Sequence, residues 1–152
     1  MGDMDKYVLV SFLGEPPAGV FSESDWPLNI TIVRAFTTAI GQKGIEDLLD
    51  DRYAKQKPVE IVGKSKEKFG AEGDKPVTLL EPSEDLQRLH EDSLNLLRDS
   101  IVPLRHSFEF VPHITDQPSS TFEPGQTGTL SSISLVHMKE GAPHVSKTWS
   151  FA

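Results

Sequence analysis

The chain of 152 residues is long enough to bury a sizeable core, and its 37% hydrophobic and 25% charged residues are typical of a globular protein rather than a disordered or membrane-spanning one. The absence of cysteine excludes disulfides, thiolate nucleophiles and cysteine-ligated zinc. The net charge of −8 disfavours binding to duplex DNA, because such binding requires many phosphates to be neutralised.

The first half of the chain is predicted to hold three strands and one helix. Apolar runs rich in β-branched and aromatic residues predict strands over 7–13 and 28–36. Apolar residues at helical spacing predict a helix over 37–55, although Gly41 and Gly44 weaken its first turns. A short strand over 58–62 follows, and the polar, glycine-containing segment 64–75 is predicted to be a loop.

The second half begins with a strand over 77–80 and the strongest helix of the chain. Ser83 has the character of an N-cap, and Glu84 and Asp85 place negative charge at the positive end of the helix dipole. A stripe of leucines carries this helix to about residue 100, and further strands are predicted over 108–115, 130–138 and 147–151, with a loop over 118–128. The order of elements predicts an α+β architecture with helices packed outside the sheets.

Two segments about half a chain apart resemble each other. Residues 26–31 read WPLNIT and residues 110–115 read FVPHIT, so each places a proline ahead of a polar residue, an isoleucine and a threonine. The echo predicts one structural element used twice, as in a duplicated fold with two lobes. We expect the two lobes to form one domain over residues 1–152.

The alternation of side chains in a strand gives these segments a chemical meaning. Residues i and i+2 share a face, so Asn29 and Thr31 project together, as do His113 and Thr115. If the two strands face each other across a cleft, four hydrogen-bonding side chains converge. Threonine hydroxyls then donate to nonbridging phosphate oxygens, while the nitrogen-bearing side chains meet the attacking and leaving oxygens.

With these segments the chain resembles the two-histidine (2H) phosphoesterase superfamily, in particular its 2'-5' RNA ligase-like or cyclic phosphodiesterase branch. That family carries two His-x-Thr/Ser motifs on strands that follow a proline-containing lead-in. The segment from His113 to Thr115 matches the second motif fully, whereas Asn29 replaces the histidine of the first. The resemblance spans nearly the whole chain and implies a duplicated two-lobe fold, with antiparallel sheets lining a central cleft and helices outside.

The resemblance also implies metal-independent cleavage of a 2',3'-cyclic phosphate, a cyclic nucleotide or a 2'-5' linkage, with Asn29, Thr31, His113 and Thr115 as catalytic residues. One histidine of the family accepts the proton of the attacking oxygen and the other protonates the leaving oxygen. An amide cannot do this acid–base work, so Asn29 predicts impaired turnover. The asparagine is a natural loss, an engineered change that traps a ligand, or a group that orients substrate for His113. The competing hypothesis is a nucleotide-binding sensor or sequestering protein, and a structural role of both motifs is the simplest alternative.

Outside the two motifs, the segment 64–75 is predicted to contact the substrate. Lys64 and Lys66, with Phe69, are predicted to neutralise phosphate and stack a base from a flexible flap, and the alternative is a solvated loop. Arg34 is predicted to point away from the face of Thr31 by strand alternation. His90, within the leucine-rich helix, is interpreted as a residue at the boundary of the core.

The remaining motifs limit cofactors and partners. No histidine has a partner at metal-ligand spacing, and no glycine-rich phosphate loop is present, so we predict no catalytic metal, no cofactor and no ATP-driven ligation. The expected partner is a small nucleotide or an RNA end that bears a phosphodiester. The chain lacks a secretion signal and an apolar run of spanning length, so we expect a cytoplasmic monomer without membrane contact.

Overall fold

The computed structural model describes residues 5–18, 20–22, 24–70, 72–104, 110–138 and 142–152. The strands are β1 (Lys6–Phe12), β2 (Asn29–Thr38), β3 (Val59–Phe69), β4 (Lys75–Leu80), β5 (Ile101–Pro103), β6 (His113–Thr115), β7 (Thr127–Leu130), β8 (Ser132–His137) and β9 (His144–Ser150). The helices are α1 (Gly41–Ala54) and α2 (Glu84–Leu97), and α2 continues into a 3-10 turn over Arg98–Ser100. Within these ranges, no helix is long and apolar enough to cross a membrane.

The strands form two antiparallel sheets, one in each lobe. The five-stranded sheet has the order β5-β2-β1-β8-β9, and the four-stranded sheet has the order β6-β4-β3-β7. Helix α1 contacts β9, and α2 contacts both β2 and α1. The predicted α+β architecture with two antiparallel sheets and outer helices is confirmed.

The core lies between the sheets and the helices. One hydrophobic cluster contains fully buried residues of both sheets and both helices, among them Leu9, Ile30, Leu49, Leu89 and Ile114. The opposite face of the five-stranded sheet carries a smaller cluster around Val8, Val10, Phe12 and Val136, against which Trp26 packs. Val8, Val10 and Trp26 of this second face also line the candidate site described below.

A glycine with positive φ marks the start of α1, and a serine N-cap marks the start of α2. Gly41 has φ of 74°, a left-handed conformation that glycine adopts readily, and α1 begins there rather than at Thr37, because residues 37–38 still pair in β2. At α2, the Ser83 hydroxyl accepts a hydrogen bond from the Leu86 backbone N–H at 3.2 Å, as the sequence predicts for an N-cap.

Several predicted boundaries are wrong, and strand pairing is the reason in each case. The segment predicted as a flap over 64–75 is in strand conformation as far as Phe69, because Lys66 and Phe69 pair with Thr78 and Lys75 of β4. The strand predicted over 130–138 is divided at Ser131, since β7 pairs with β3 of one sheet and β8 pairs with β1 of the other.

Three further differences concern short or terminal strands. The sequence did not predict β5. β9 starts at His144 rather than at residue 147, because His144 pairs with His137 of β8. Of the strand predicted over 108–115, the structure shows His113–Thr115 as β6, while Phe108 and Glu109 lie outside the described residues.

Candidate functional site

An irregular stretch of β2 sets the direction of its side chains. Val10 of β1 pairs with Thr31, whereas the residue before it in β1 pairs with Val33. One residue of β2, Ile32, is therefore extra, and a second extra residue follows Val33. β-bulges of this kind disrupt the ladder and re-aim side chains. Here they bury both Ile32 and Val33, which are 1% and 3% exposed, and turn Arg34 outward.

Asn29 and Thr31 lie at the start of β2 and project from the same face of the strand. Both side chains are half-buried, while Ile30 between them is fully buried in the core. The Asn29 Nδ2 donates a hydrogen bond of 2.9 Å to the carbonyl oxygen of Pro27, two residues earlier. This bond holds the amide group in one orientation at the start of the strand.

His113 and Thr115 repeat that arrangement on β6. Both are half-buried, and Ile114 between them is 0% exposed. His113 Nδ1 lies 2.8 Å from the carbonyl oxygen of Val111, again two residues earlier. A carbonyl only accepts, so Nδ1 carries the proton and the neutral ring keeps Nε2 as its basic nitrogen. Asn29 and His113 therefore stand in equivalent settings in the two lobes.

The environment of His113 favours the neutral ring. Burial lowers its pKa below the ordinary imidazole value, and the Arg34 guanidinium lowers it further, against the opposing effect of the hydrogen bond to Val111. The His113 ring is therefore neutral over a wider pH range than an exposed imidazole.

The two strands meet along a depression that we call the wide cavity. β2 and β6 contact each other although they belong to different sheets. The cavity between them measures about 280 Å³, just below the range of small-ligand pockets, which span roughly 300–1,000 Å³. Its lining comprises the polar residues Asn29, Thr31, Thr115 and Gln117 and the apolar residues Val8, Val10, Trp26, Ala35 and Met138. Three of the four predicted catalytic residues therefore line one space with an apolar wall.

The fourth, His113, lies in an adjoining space that we call the narrow cavity. It measures about 30 Å³ and is lined by Thr31, Ile32, Arg34, His90, Phe110, Val111 and His113. Thr31 lines both cavities, so they adjoin at this residue. The prediction that Arg34 points away from Thr31 is wrong, because the bulge in β2 breaks the simple alternation on which it rested.

His90 is a site residue that the sequence interpretation missed. Its Nδ1 lies 2.7 Å from the carbonyl oxygen of Ile32, the extra residue of the bulge. Its ring stacks on Phe110, with 4.0 Å between centroids and an interplanar angle of 6°. His90 lies one helical turn after the buried Leu86, and this position predicted a residue at the edge of the core. The bulge whose carbonyl contacts His90 has no signal in the sequence.

The three predicted substrate-binding residues of β3 differ in their surroundings. The Phe69 ring meets the His113 ring edge to face, with 4.8 Å between centroids. Lys66 Nζ lies 2.9 Å from Asp116 Oδ1 and 3.4 Å from Glu123 Oε2. Desolvation lowers the pKa of Lys66, but these two carboxylates outweigh it and raise the pKa overall. Lys64 is exposed.

The polar groups of the site suit an anion rather than a cation. Its lining offers amides, hydroxyls and a guanidinium, all of which donate hydrogen bonds. In the part of the chain that the structure describes, no group of three or more histidine or carboxylate side chains is placed to hold a metal ion.

No protein family and no curated protein sequence matches the chain. Among solved structures, the chain is similar to E. coli LigT in complex with 3'-AMP, with a TM-score of 0.66, 15% identity and 99% of each chain covered. It is likewise similar to a crystal structure of a phosphoesterase, with a TM-score of 0.66, 14% identity and coverage of 97% of this chain and 99% of the other.

A third similar structure is that of a protein from Thermus thermophilus, with a TM-score of 0.65, 16% identity and coverage of 96% of this chain and 97% of the other. Other structures of E. coli LigT contain phosphate, ATP or NADP+. The similarity extends over both lobes, so the chain has the two-lobe α+β fold of the 2H phosphoesterases, as the paired motifs predicted.

Proposed function

We propose that this protein hydrolyses a phosphodiester without a metal ion, acting on a 2',3'-cyclic phosphate, a cyclic nucleotide or a 2'-5'-linked oligonucleotide. The observation that carries the proposal is the equivalence of Asn29 and His113. Each side chain donates to the carbonyl two residues earlier, each is followed by a buried isoleucine and a half-buried threonine, and the two strands contact each other.

The wide cavity fits the parts of a nucleotide. The Thr31 and Thr115 hydroxyls are available to nonbridging phosphate oxygens, and Trp26 gives the apolar wall a flat surface on which a base can stack. The complex of E. coli LigT with 3'-AMP supports this choice, because opening a 2',3'-cyclic adenylate at the 2' oxygen gives 3'-AMP. A single bound phosphate also agrees with the net charge of −8.

The proposed roles of the motif residues follow from their chemistry. His113, kept neutral by burial, accepts the proton of the attacking water. Asn29 orients the substrate through its amide but cannot transfer a proton at neutral pH, so turnover is slower than an imidazole at that position would allow. A proton-transfer group typically contributes ~10²–10⁴-fold.

The proposal also gives β3 a part in substrate binding. Phe69 stands against the His113 ring and is proposed to contact the base or ribose. Lys64 and Lys66 are proposed to attract the phosphate. Lys66 also forms an ion pair with Asp116, which competes with the phosphate for its charge. Its contribution is therefore expected to be smaller than that of an unpaired lysine.

A second candidate function is nucleotide binding without turnover. The observation that favours it is Asn29, because the hydroxyls and the apolar wall are retained while one proton-transfer group of the motif pair is absent. Such a protein acts as a sensor or a sequestering protein for a small nucleotide or an RNA end. Calorimetry that shows binding of the nucleotide to the native chain, followed by recovery of the nucleotide unchanged, distinguishes this function from hydrolysis.

The decisive test compares the native chain with His113→Asn on 2',3'-cyclic adenylate and a 2'-5'-linked dinucleotide, with products separated by chromatography. Asparagine can keep the bond to Val111, as Asn29 does to Pro27, but removes the proton acceptor. We expect a loss of ~10²-fold or more for His113→Asn, and none for Gln87→Ala on the exposed face of α2. Equal rates for native and His113→Asn refute hydrolysis by this site, and tight binding without turnover supports the second candidate.

A further inference from the structure

His90 occupies a position for which the motifs give no role. It is half-buried on α2, yet its ring lines the narrow cavity together with Thr31, Arg34 and His113. Two contacts fix the ring: Nδ1 lies 2.7 Å from the Ile32 carbonyl oxygen, and the flat face stacks on Phe110 at 4.0 Å. The ring is therefore held on two sides where it borders a cavity that Thr31 and His113 also line.

The Nδ1 hydrogen bond of His90 repeats that of His113. Each Nδ1 faces a backbone carbonyl, so each Nδ1 carries a proton and each Nε2 is the nitrogen that exchanges one. The narrow cavity of about 30 Å³ is large enough for one water-sized group, since a cavity needs only about 10–15 Å³ of such volume to hold a water. His90 and His113 both border this small space, although they belong to different elements, α2 and β6.

We propose that His90 protonates the leaving oxygen of the phosphodiester, and so performs the task that an imidazole at position 29 would have in the paired motifs. The inference rests on the proposed function and deepens it. His90 takes this role from a different element, α2, which the bulge of β2 connects to the site through the Ile32 carbonyl.

The step is balanced with water as the second reactant. The water oxygen forms a bond to phosphorus, and the bond between phosphorus and one ribose oxygen breaks. His113 Nε2 takes a proton from the water, and the His90 imidazolium gives its Nε2 proton to the ribose oxygen, which leaves as a hydroxyl. The Arg34 guanidinium, which lines the same cavity, balances the charge that develops on the phosphoryl oxygens. Solvent then returns the proton to His90 and removes it from His113.

The test uses His90→Asn, whose amide can still donate to the Ile32 carbonyl, with His90→Gln as a second variant and Gln87→Ala as the control. Each is assayed on 2',3'-cyclic adenylate, where the leaving ribose oxygen needs a proton, and on a nucleoside 4-nitrophenyl phosphodiester, where the leaving group departs without one. We expect His90→Asn to lose ~10²–10⁴-fold in kcat on the cyclic substrate and only a few-fold on the nitrophenyl substrate.

A second arm repeats His90→Asn in a chain that also carries Asn29→His. There the loss on the cyclic substrate is expected to shrink, because the histidine introduced at position 29 can protonate the leaving oxygen. Equal losses on both substrates, in a variant with an unchanged melting temperature, make His90 a positioning residue and overturn the proposal. Turnover that depends on His113 but not on His90 overturns this inference alone, whereas turnover that does not depend on His113 overturns the proposed function as well.

Discussion

Replacing Asn29 with histidine is expected to accelerate hydrolysis, and the structure indicates why the new ring fits. His113 shows how an imidazole sits in this setting, with Nδ1 at 2.8 Å from the carbonyl of Val111. The Pro27 carbonyl, at 2.9 Å from Asn29 Nδ2, offers the same acceptor at position 29. The ring then extends into the wide cavity, which has about 280 Å³ of free space.

The expected gain follows from the chemistry of proton transfer. A general acid or base contributes ~10²–10⁴-fold, which corresponds to about 3–5 kcal/mol of the activation barrier. Because His90 is proposed to supply part of this effect in the native chain, the full gain is expected in a chain that carries His90→Asn, and a smaller gain in the native background. Substrate affinity is expected to change little, since the Thr31 and Thr115 hydroxyls remain.

The assay measures kcat and KM for 2',3'-cyclic adenylate in four chains: native, Asn29→His, His90→Asn and the double variant. Circular dichroism and thermal melting establish that each is folded. The reasoning is refuted if Asn29→His is folded, binds the nucleotide and gives no gain in either background. Position 29 then has no access to a reacting oxygen, and its equivalence to His113 is structural only.

Two further predictions concern the titration of His113 and the packing of β3. Since burial and Arg34 lower the pKa of His113, kcat/KM is expected to fall on the acid side below the ordinary imidazole range, and Arg34→Gln to move that fall to higher pH; an unmoved pH profile contradicts this. Because the pKa of His113 is lower in the folded state than in the unfolded state, its contribution to folding stability is present above the unfolded pKa. That contribution is lost as the pH falls through the folded pKa. Gly63→Ala is expected to destabilise the chain by about 1–3 kcal/mol in urea unfolding, because its new Cβ would collide with the Glu123 carbonyl oxygen. Gly128→Ala, whose nearest contacts are 3.5 Å, is the control, and equal stabilities of the two variants would contradict the argument.

The sequence was informative wherever a pattern is local. The N-cap at Ser83 and the buried isoleucines of the two motifs follow from capping chemistry and from strand alternation, and the structure shows both. The internal echo of WPLNIT and FVPHIT predicted two lobes without any knowledge of their contacts. These predictions needed only neighbours along the chain or a repeated segment.

The sequence was least informative where pairing partners decide the outcome. Lys66 and its neighbours have loop composition, yet they form a strand because β4 pairs with them. Ser131 carries no turn signal, although the chain changes sheet there. The bulge at Ile32 is invisible for the same reason, and with it the positions of Arg34 and His90 at the site.

The bulge of β2 and the contact of His90 lie in the same lobe as Asn29. In the lobe of His113, β6 pairs with β4 in an unbroken register. In the lobe of Asn29, the extra residue Ile32 turns its carbonyl toward α2, where His90 meets it at 2.7 Å. The asymmetry between the lobes therefore accompanies the proposed transfer of the proton donor from position 29 to position 90.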